Sequence, residues 1–457
     1  MSINELPTEL LQAIFELLVG KASGHPSTTH PDDKRRLLQT LTGVCRVWRE
    51  LTLSNALLWN ILHFPTTDGA MQWTKLSIQR SAAAPLDIHI AVQDTTTLKA
   101  LNTYGPAFFK LIDPESRRWR MMELGLPALL PQISPLWCGE IDMLEELRLE
   151  STTISLPFLH TPALPGRLRH LKSLSVARQT LRWTPWECLS IVYLSLGPFG
   201  TTARGPSPRE LFGILTALSD TLRSLTLKGT WQGYRSDHLF QGPITLKALK
   251  SLIAPSGWEP QVVYVIQGCR FPVLEHVEIL FSLFYTPPPA LVSLLCDKPQ
   301  LFLSVKHLSL GFVGDANSPM GQVVQRAFPH LEHVVLLPYT ALDGSLSILL
   351  SRSWGSLTRL DLSEAGLDDI IHLLSKRRQN YPTTLHELRL SVAHGILYRT
   401  DYEWIQSHVD RLVIYHVRPD AHGLAFNKDI WPFEERYLVA QAPTQRPQPK
   451  QMQTRAL

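Results

Sequence analysis

LEHVEI (residues 274–279) and VKHLSL (residues 305–310) share one pattern: an apolar residue, two free positions, an apolar residue, one free position, an apolar residue. The pattern occurs eleven times, beginning at Leu144, Leu171, Ile191, Leu222, Leu249, Leu274, Val305, Leu331, Leu357, Leu385 and Val409. These starts have a mean interval of 26.5 residues, and single intervals run from 20 to 31. Chance would scatter such motifs, whereas a recurring interval marks a repeated structural unit. The closing residues of each copy alternate apolar and polar, the signature of a strand with one buried face.

This spacing resembles that of leucine-rich repeats, whose unit is a strand followed by a helix or an irregular return. The resemblance implies an α/β fold in which a leucine-rich-repeat solenoid with a curved parallel sheet spans 119–439. WRMMEL from Trp119 reads as an earlier copy, and PLDIHIAV from Pro85 alternates like a strand that opens the sheet. Residues 61–118 then form an irregular joining segment, with AMQWTKLSIQRS (70–81) as a helix. The usual asparagine three residues past the last apolar anchor is missing from all eleven copies, so the solenoid is expected to be irregular. Its turns must satisfy their backbone groups in another way. From Ala440 onward the chain is rich in proline and glutamine without an apolar period, and residues 440–457 are expected to be disordered.

The N-terminal stretch ELPTELLQAIFELL (residues 5–18) has a different period. Leu6, Leu10, Leu11, Ile14, Phe15, Leu17 and Leu18 recur at helical spacing, and Pro7 suits a helix start. The helix is expected to stop near Gly20 and a polar loop to fill 21–33. Second and third helices fit Lys34 to Thr42 and Val44 to Leu53, with Val44, Val47, Trp48 and Leu51 on one side of the third. Three helices in sixty residues bury little surface, so part of the apolar surface is available for another protein or for capping a larger core.

Taken in order, LPTELLQAIFELL, VCRVWREL and LLWN resemble the F-box over residues 5–60, with a longer loop between the first two helices. That resemblance implies docking on a Skp-type adaptor and, through it, a cullin–RING ubiquitin ligase. The matching positions are Leu6, Pro7, Leu10, Leu11 and Ile14, with Trp48 near the third helix. Leu10, Ile14 and Leu17 have the anchor spacing of a helix laid in a groove. The order of F-box and repeats resembles that of fungal substrate receptors, with an unknown protein as substrate. A second reading makes the chain a binding scaffold whose F-box-like helices cap the solenoid. A third makes it an enzyme on an irregular α/β frame.

Composition narrows these readings. The net charge of +4 over 457 residues is small and no long basic run is present, so nucleic acid is not an expected partner. The five cysteines are scattered without a Cys-x-x-Cys, which signals neither a zinc site nor a redox pair and fits a reducing compartment, cytoplasmic or nuclear. No secretory signal and no apolar run of about eighteen residues is found, so no membrane span is expected. No nucleophile elbow, phosphate loop, dinucleotide loop or His-Glu-x-x-His motif occurs, and the chain is expected to be non-catalytic and to need no cofactor. Cys45 reads as packing inside an apolar helix face.

Strand alternation sends the third, fifth and seventh positions of each copy to the face opposite the core. Read across the copies, this face begins charged (Glu146, Arg148, Glu150), turns small and polar (Ser173, Ser175, Ser195, Ser224, Thr226), then carries His276, His307 and His333 in one column. Beside them lie Glu278, Leu280, Ser309, Val335 and Leu337, and charge returns at Arg359. Rings on parallel strands should point the same way rather than converge on a metal. A mixed apolar and polar patch suits protein binding, and these residues are the candidate substrate contacts.

Overall fold

The computed structural model describes residues 6–23, 31–92, 95–125, 141–150, 168–178, 190–199, 205–229, 231, 243–255, 260–279, 302–310, 326–336, 354–363, 367–381, 385–392, 399–416 and 438–441 of the 457-residue chain. The fold is mixed α/β and divides into two compact units, residues 1–249 with 259–269 and residues 250–258 with 270–457.

The first unit opens with α1 (Thr8–Ser23), α2 (Pro31–Val44) and α3 (Arg46–Ser54). Helix α1 runs three residues past its expected stop, and α2 starts three residues earlier than expected. Then come β1 (Ile61–His63), α4 (Asp68–Ser81), β2 (Leu86–Ala91), α5 (Thr95–Ile112), β3 (Trp119–Gly125), β4 (Glu146–Glu150), β5 (Ser173–Ala177), β6 (Tyr193–Leu196), α6 (Pro208–Ala217), β7 (Ser224–Leu227) and α7 (Pro260–Gly268). Strands β1 to β7 pair side by side in chain order, all parallel.

Register explains why the repeated pattern folds this way. Leu147, Leu174, Leu194 and Leu225 stand in one row and Leu149, Val176, Leu196 and Leu227 in the next, all buried. In this unit the first apolar residue of a copy, such as Leu144 or Leu171, is buried in the turn before its strand. Each such side chain contributes about 1.5–3 kcal/mol relative to an exposed one. A parallel strand needs a crossover before the next, so the apolar rows face the covering layer. Helix α6 is one such crossover. It starts with a capping box in which Ser207 Oγ accepts from Glu210 N at 3.3 Å and Glu210 Oε2 accepts from Ser207 N at 2.7 Å, with Pro208 in its first turn. Gly197, which follows β6 at φ 88°, admits no other residue: a Cβ there would collide with the Lys228 carbonyl.

The second unit holds β8 (Ser251–Ala254), β9 (His276–Ile279), β10 (His307–Leu310), β11 (His333–Leu336), β12 (Arg359–Ser363), α8 (Leu367–Asn380), β13 (Leu385–Val392), α9 (Arg399–Gln406), β14 (Val409–His416) and β15 (Leu438–Gln441). Strands β8 to β14 are parallel neighbours in chain order, and β15 adds antiparallel to β14. All eleven copies of the pattern therefore carry a strand, including those at Ile191 and Leu249. Residues 280–301, 311–325 and 337–353, where returns of the expected solenoid fall, lie outside the described residues. So does the expected disordered tail, apart from Ala440 and Gln441 in β15.

At the start of the strands, turn side chains bond the backbone of the preceding copy. Ser304 Oγ donates to Leu274 O and Ser356 Oγ to Leu331 O, both at 2.8 Å, and the Trp354 indole donates to Phe328 O at 2.6 Å. Turn residues of one copy thus occupy carbonyls of the copy before it. The second unit also carries the exposed pairs Lys250–Glu275 and Lys306–Glu332 at 3.0 and 2.8 Å, and the first unit the pair Lys172–Glu145 at 2.6 Å. Exposed pairs of this kind add little stability.

Candidate functional site

Helix α1 has two apolar faces. Leu11, Phe15 and Val19, four residues apart, turn inward, and Leu11 and Phe15 are 2% and 0% exposed. Phe15 and Val19 join Leu38, Leu41, Leu58 and Trp59 in one cluster, with Trp48 and Leu51 of α3 packed against it. The opposite face presents Leu10, Ile14, Leu17 and Leu18 to solvent, with Leu10 52% and Leu17 63% exposed. Val44, Val47 and Leu57 are exposed as well. Seven of the eleven exposed large apolar side chains among the described residues thus fall between 10 and 57.

The small domain is held rigid enough to keep that face outward. The Phe15 and Trp48 rings meet edge to face at 4.8 Å. Asn55 Nδ2 donates to Glu16 Oε1 at 2.8 Å, tying the end of α3 to α1, and the Trp59 indole donates to Thr52 O at 2.7 Å. Cys45 caps α3, its Sγ accepting from Trp48 N at 3.5 Å, rather than lying within the helix face as expected. Lys34 of α2 is buried and donates to Ile61 O of β1 at 3.2 Å, fastening the helices to the first strand. Burial pushes its ammonium down to about 7, partly opposed by Asp87.

Among the expected adaptor residues, Pro7, Leu10 and Ile14 are exposed and Leu6 is half-buried. Leu11 is corrected: it is a core residue, because position 11 falls on the same helix face as Phe15 and Val19. Trp48 is half-buried and its ring packs internally. Leu17 and Leu18 extend the exposed face of α1 beyond the expected set, and Val44, Val47 and Leu57 are further exposed apolar side chains of the domain. Helical spacing alone marked both faces of α1 as apolar and did not say which one the other helices cover.

In the second unit, register sets His276, His307, His333 and Arg359 side by side on β9 to β12, followed by Glu387 on β13 and Arg411 on β14. The next row holds Glu278, Ser309, Val335, Asp361 and Arg389. Seven of the nine expected substrate contacts are therefore neighbours, while Leu280 and Leu337 lie outside the described residues. The histidines are half-buried rather than fully exposed, and Asp361 and Glu387 are buried, because side chains in adjacent rows cover one another.

The rings also do not all run parallel, which corrects the expectation. His307 Nδ1 and His333 Nδ1 are 3.3 Å apart with the rings perpendicular, and the His276 ring centre lies 6.3 Å from that of His307. His333 Nε2 lies 3.3 Å from Asp361 Oδ2 without hydrogen-bond alignment. Arg359 holds Asp361 through two bonds of 3.1 Å. Burial alone would raise the Asp361 carboxyl, but His333 and Arg359 together hold it below the usual range. Burial, then the neighbouring rings, push His276 and His307 below the ordinary histidine value. No group of three or more metal-ligating side chains gathers among the described residues, and no described helix is long and apolar enough to cross a membrane.

On the first unit, strands β4 to β7 form a shallow recess lined by Glu146, Arg148, Ser173, Ser175, Tyr193, Ser195, Ser224 and Thr226. Arg148 is spent on Glu146 at 2.7 Å.

Comparison with known proteins bears on the N-terminus. Residues 3–65 match the model of the F-box-like family. No curated protein matches the chain. Among solved structures, the chain is similar to a Bacteroides fragilis protein at 14% identity, covering 70% of this chain and 84% of that one with a TM-score of 0.34. It is likewise similar to the yeast Rad7 and Elc1 complex at 14% identity, covering 86% and 91% with a TM-score of 0.35. The matched residues 3–65 take in α1, α2 and α3, with Leu10 and Ile14 outward and Phe15 inward: the chain carries an F-box-like domain at its N-terminus.

Proposed function

We propose that this protein is a substrate-recognition subunit of a Skp–cullin–F-box type ubiquitin ligase. The F-box-like helices dock a Skp-type adaptor, and the parallel strands, read as an irregular leucine-rich-repeat solenoid, present a face to a protein substrate. The observation that carries the reading is the outward row Leu10, Ile14, Leu17 and Leu18 on a helix whose other face is already filled. A soluble domain that keeps four large apolar side chains exposed on one short helix has a surface shaped for a partner groove. The chain itself supplies proximity between substrate and the partner subunits that carry the transfer chemistry.

The substrate contacts in this reading are His276, Glu278, His307, Ser309, His333, Val335 and Arg359, with Leu280 and Leu337 at the edge of the same patch. The test is co-purification of the full chain with a Skp-type adaptor. Wild type retains the adaptor, and Leu10→Asp with Ile14→Asp loses it while the chain stays folded. A second reading, in which the helices serve only as a cap, is favoured by the Lys34 bond into β1. Wild type failing to retain any adaptor would select that reading.

A further inference from the structure

The histidine row specifies what kind of substrate the second unit takes. His276, His307, His333 and Arg359 occupy consecutive positions across four strands. At 3.3 Å, His307 Nδ1 and His333 Nδ1 make a hydrogen bond only if one nitrogen carries a proton and the other does not. A second proton would set two N–H donors against each other. His276 Nε2 is buried and has no hydrogen-bond partner among the described residues. The acids nearby are largely engaged: Asp361 by Arg359, and Glu387 by Arg389 at 2.8 Å. Glu278 stands in the next row across from Ser309, Glu332 is held by Lys306 and Glu275 by Lys250, while Ser251 and Ile253 of β8 bring no charge.

We propose that this row is a proton-coupled docking site for an acidic peptide segment, in which a carboxylate of the ligand replaces the His307–His333 hydrogen bond and receives one N–H from each ring. The inference rests on reading the chain as a substrate receptor and names the substrate class of that site. Replacing the bond requires the pair to gain a proton, because both facing nitrogens must then be donors. Arg359, next in the row, is already bonded to Asp361, so the charge that meets the ligand is the proton the histidine pair gains. In the free row the His307–His333 bond uses one N–H where two are needed, and burial and like neighbours hold His276 and His307 below the ordinary histidine value. The bound row carries more protons than the free row, so affinity rises as pH falls through the histidine range.

The probe is labelled oligoglutamate, titrated against the full chain at constant ionic strength at about pH 8 and about pH 6, either side of the histidine range. Tightening by about tenfold or more is expected, since one proton taken up is worth up to that factor per pH unit. Calorimetry in two buffers of different ionisation heat should show proton uptake. Oligolysine and an uncharged Gly-Ser peptide should show neither effect. His307→Gln with His333→Gln keeps hydrogen-bonding capacity but cannot charge, and should abolish the pH dependence. Equal affinity at both pH values, no proton uptake, or an unchanged slope in the variant would overturn the proposal. Should the double variant not fold, proton uptake by wild type decides alone. No adaptor is present in these titrations, so their failure leaves the ligase reading untouched, and loss of adaptor binding leaves this site untouched.

Discussion

Single residues show how unevenly stability is distributed in the N-terminal helices. Phe15 is fully buried against Trp48, so Phe15→Ala leaves a void and should cost about 3–5 kcal/mol, measured by urea denaturation. Leu17→Ala, two residues on and on the open face, should change stability by less than about 0.5 kcal/mol. Lys34 makes a different claim. Its folded pKa is lowered to about 7 from 10.5, so the unfolded chain binds the proton more tightly. Stability therefore rises with pH between those two values, and the cost of burying the charge is complete below about 7. Lys34→Met should remove that rise, a difference on the order of a few kcal/mol, read from denaturation curves across the pH range. An unchanged profile would mean the ammonium reaches solvent.

At the scale of elements, the strands were legible and their surroundings were not. Each copy of the pattern carries its own instruction: two inward apolar residues at period two and a third three residues before them. Leu388→Ala on β13 tests that instruction. It is fully buried in a row with Leu360 and Leu412, and its truncation should cost about 2–5 kcal/mol. Removing the exposed Lys306 partner of Glu332 should leave the melting temperature unmoved. What the pattern did not reveal was partnering within the open face. His307 turning toward His333, and Asp361 disappearing beneath Arg359, depend on side chains that meet only once strands some 26 residues apart pair in register. Likewise, Leu10 and Leu11 are adjacent and alike in sequence. Only the packing of the folded chain decides that Leu11 is core and Leu10 is surface.

At the scale of the whole molecule, two surfaces of different chemistry are kept on different parts of one chain. The N-terminal surface is apolar and belongs to an F-box-like domain; the strand face is polar, with charges mostly satisfied from within. A receptor that links a substrate to a ligase needs this division, since each surface must bind without competing for the other's partner. The N-terminal identity was readable because three separate segments kept their order over sixty residues. The face proposed to meet a substrate was readable only as a list of positions, because one chain carries no record of what it meets. The most direct measurement is a binding isotherm of the full chain with a purified Skp-type adaptor. The account predicts saturable binding that Leu10→Asp with Ile14→Asp weakens by a hundredfold or more, on the order of 3 kcal/mol, with unchanged thermal unfolding. Equal affinity in the double variant, or no binding by wild type, would contradict it.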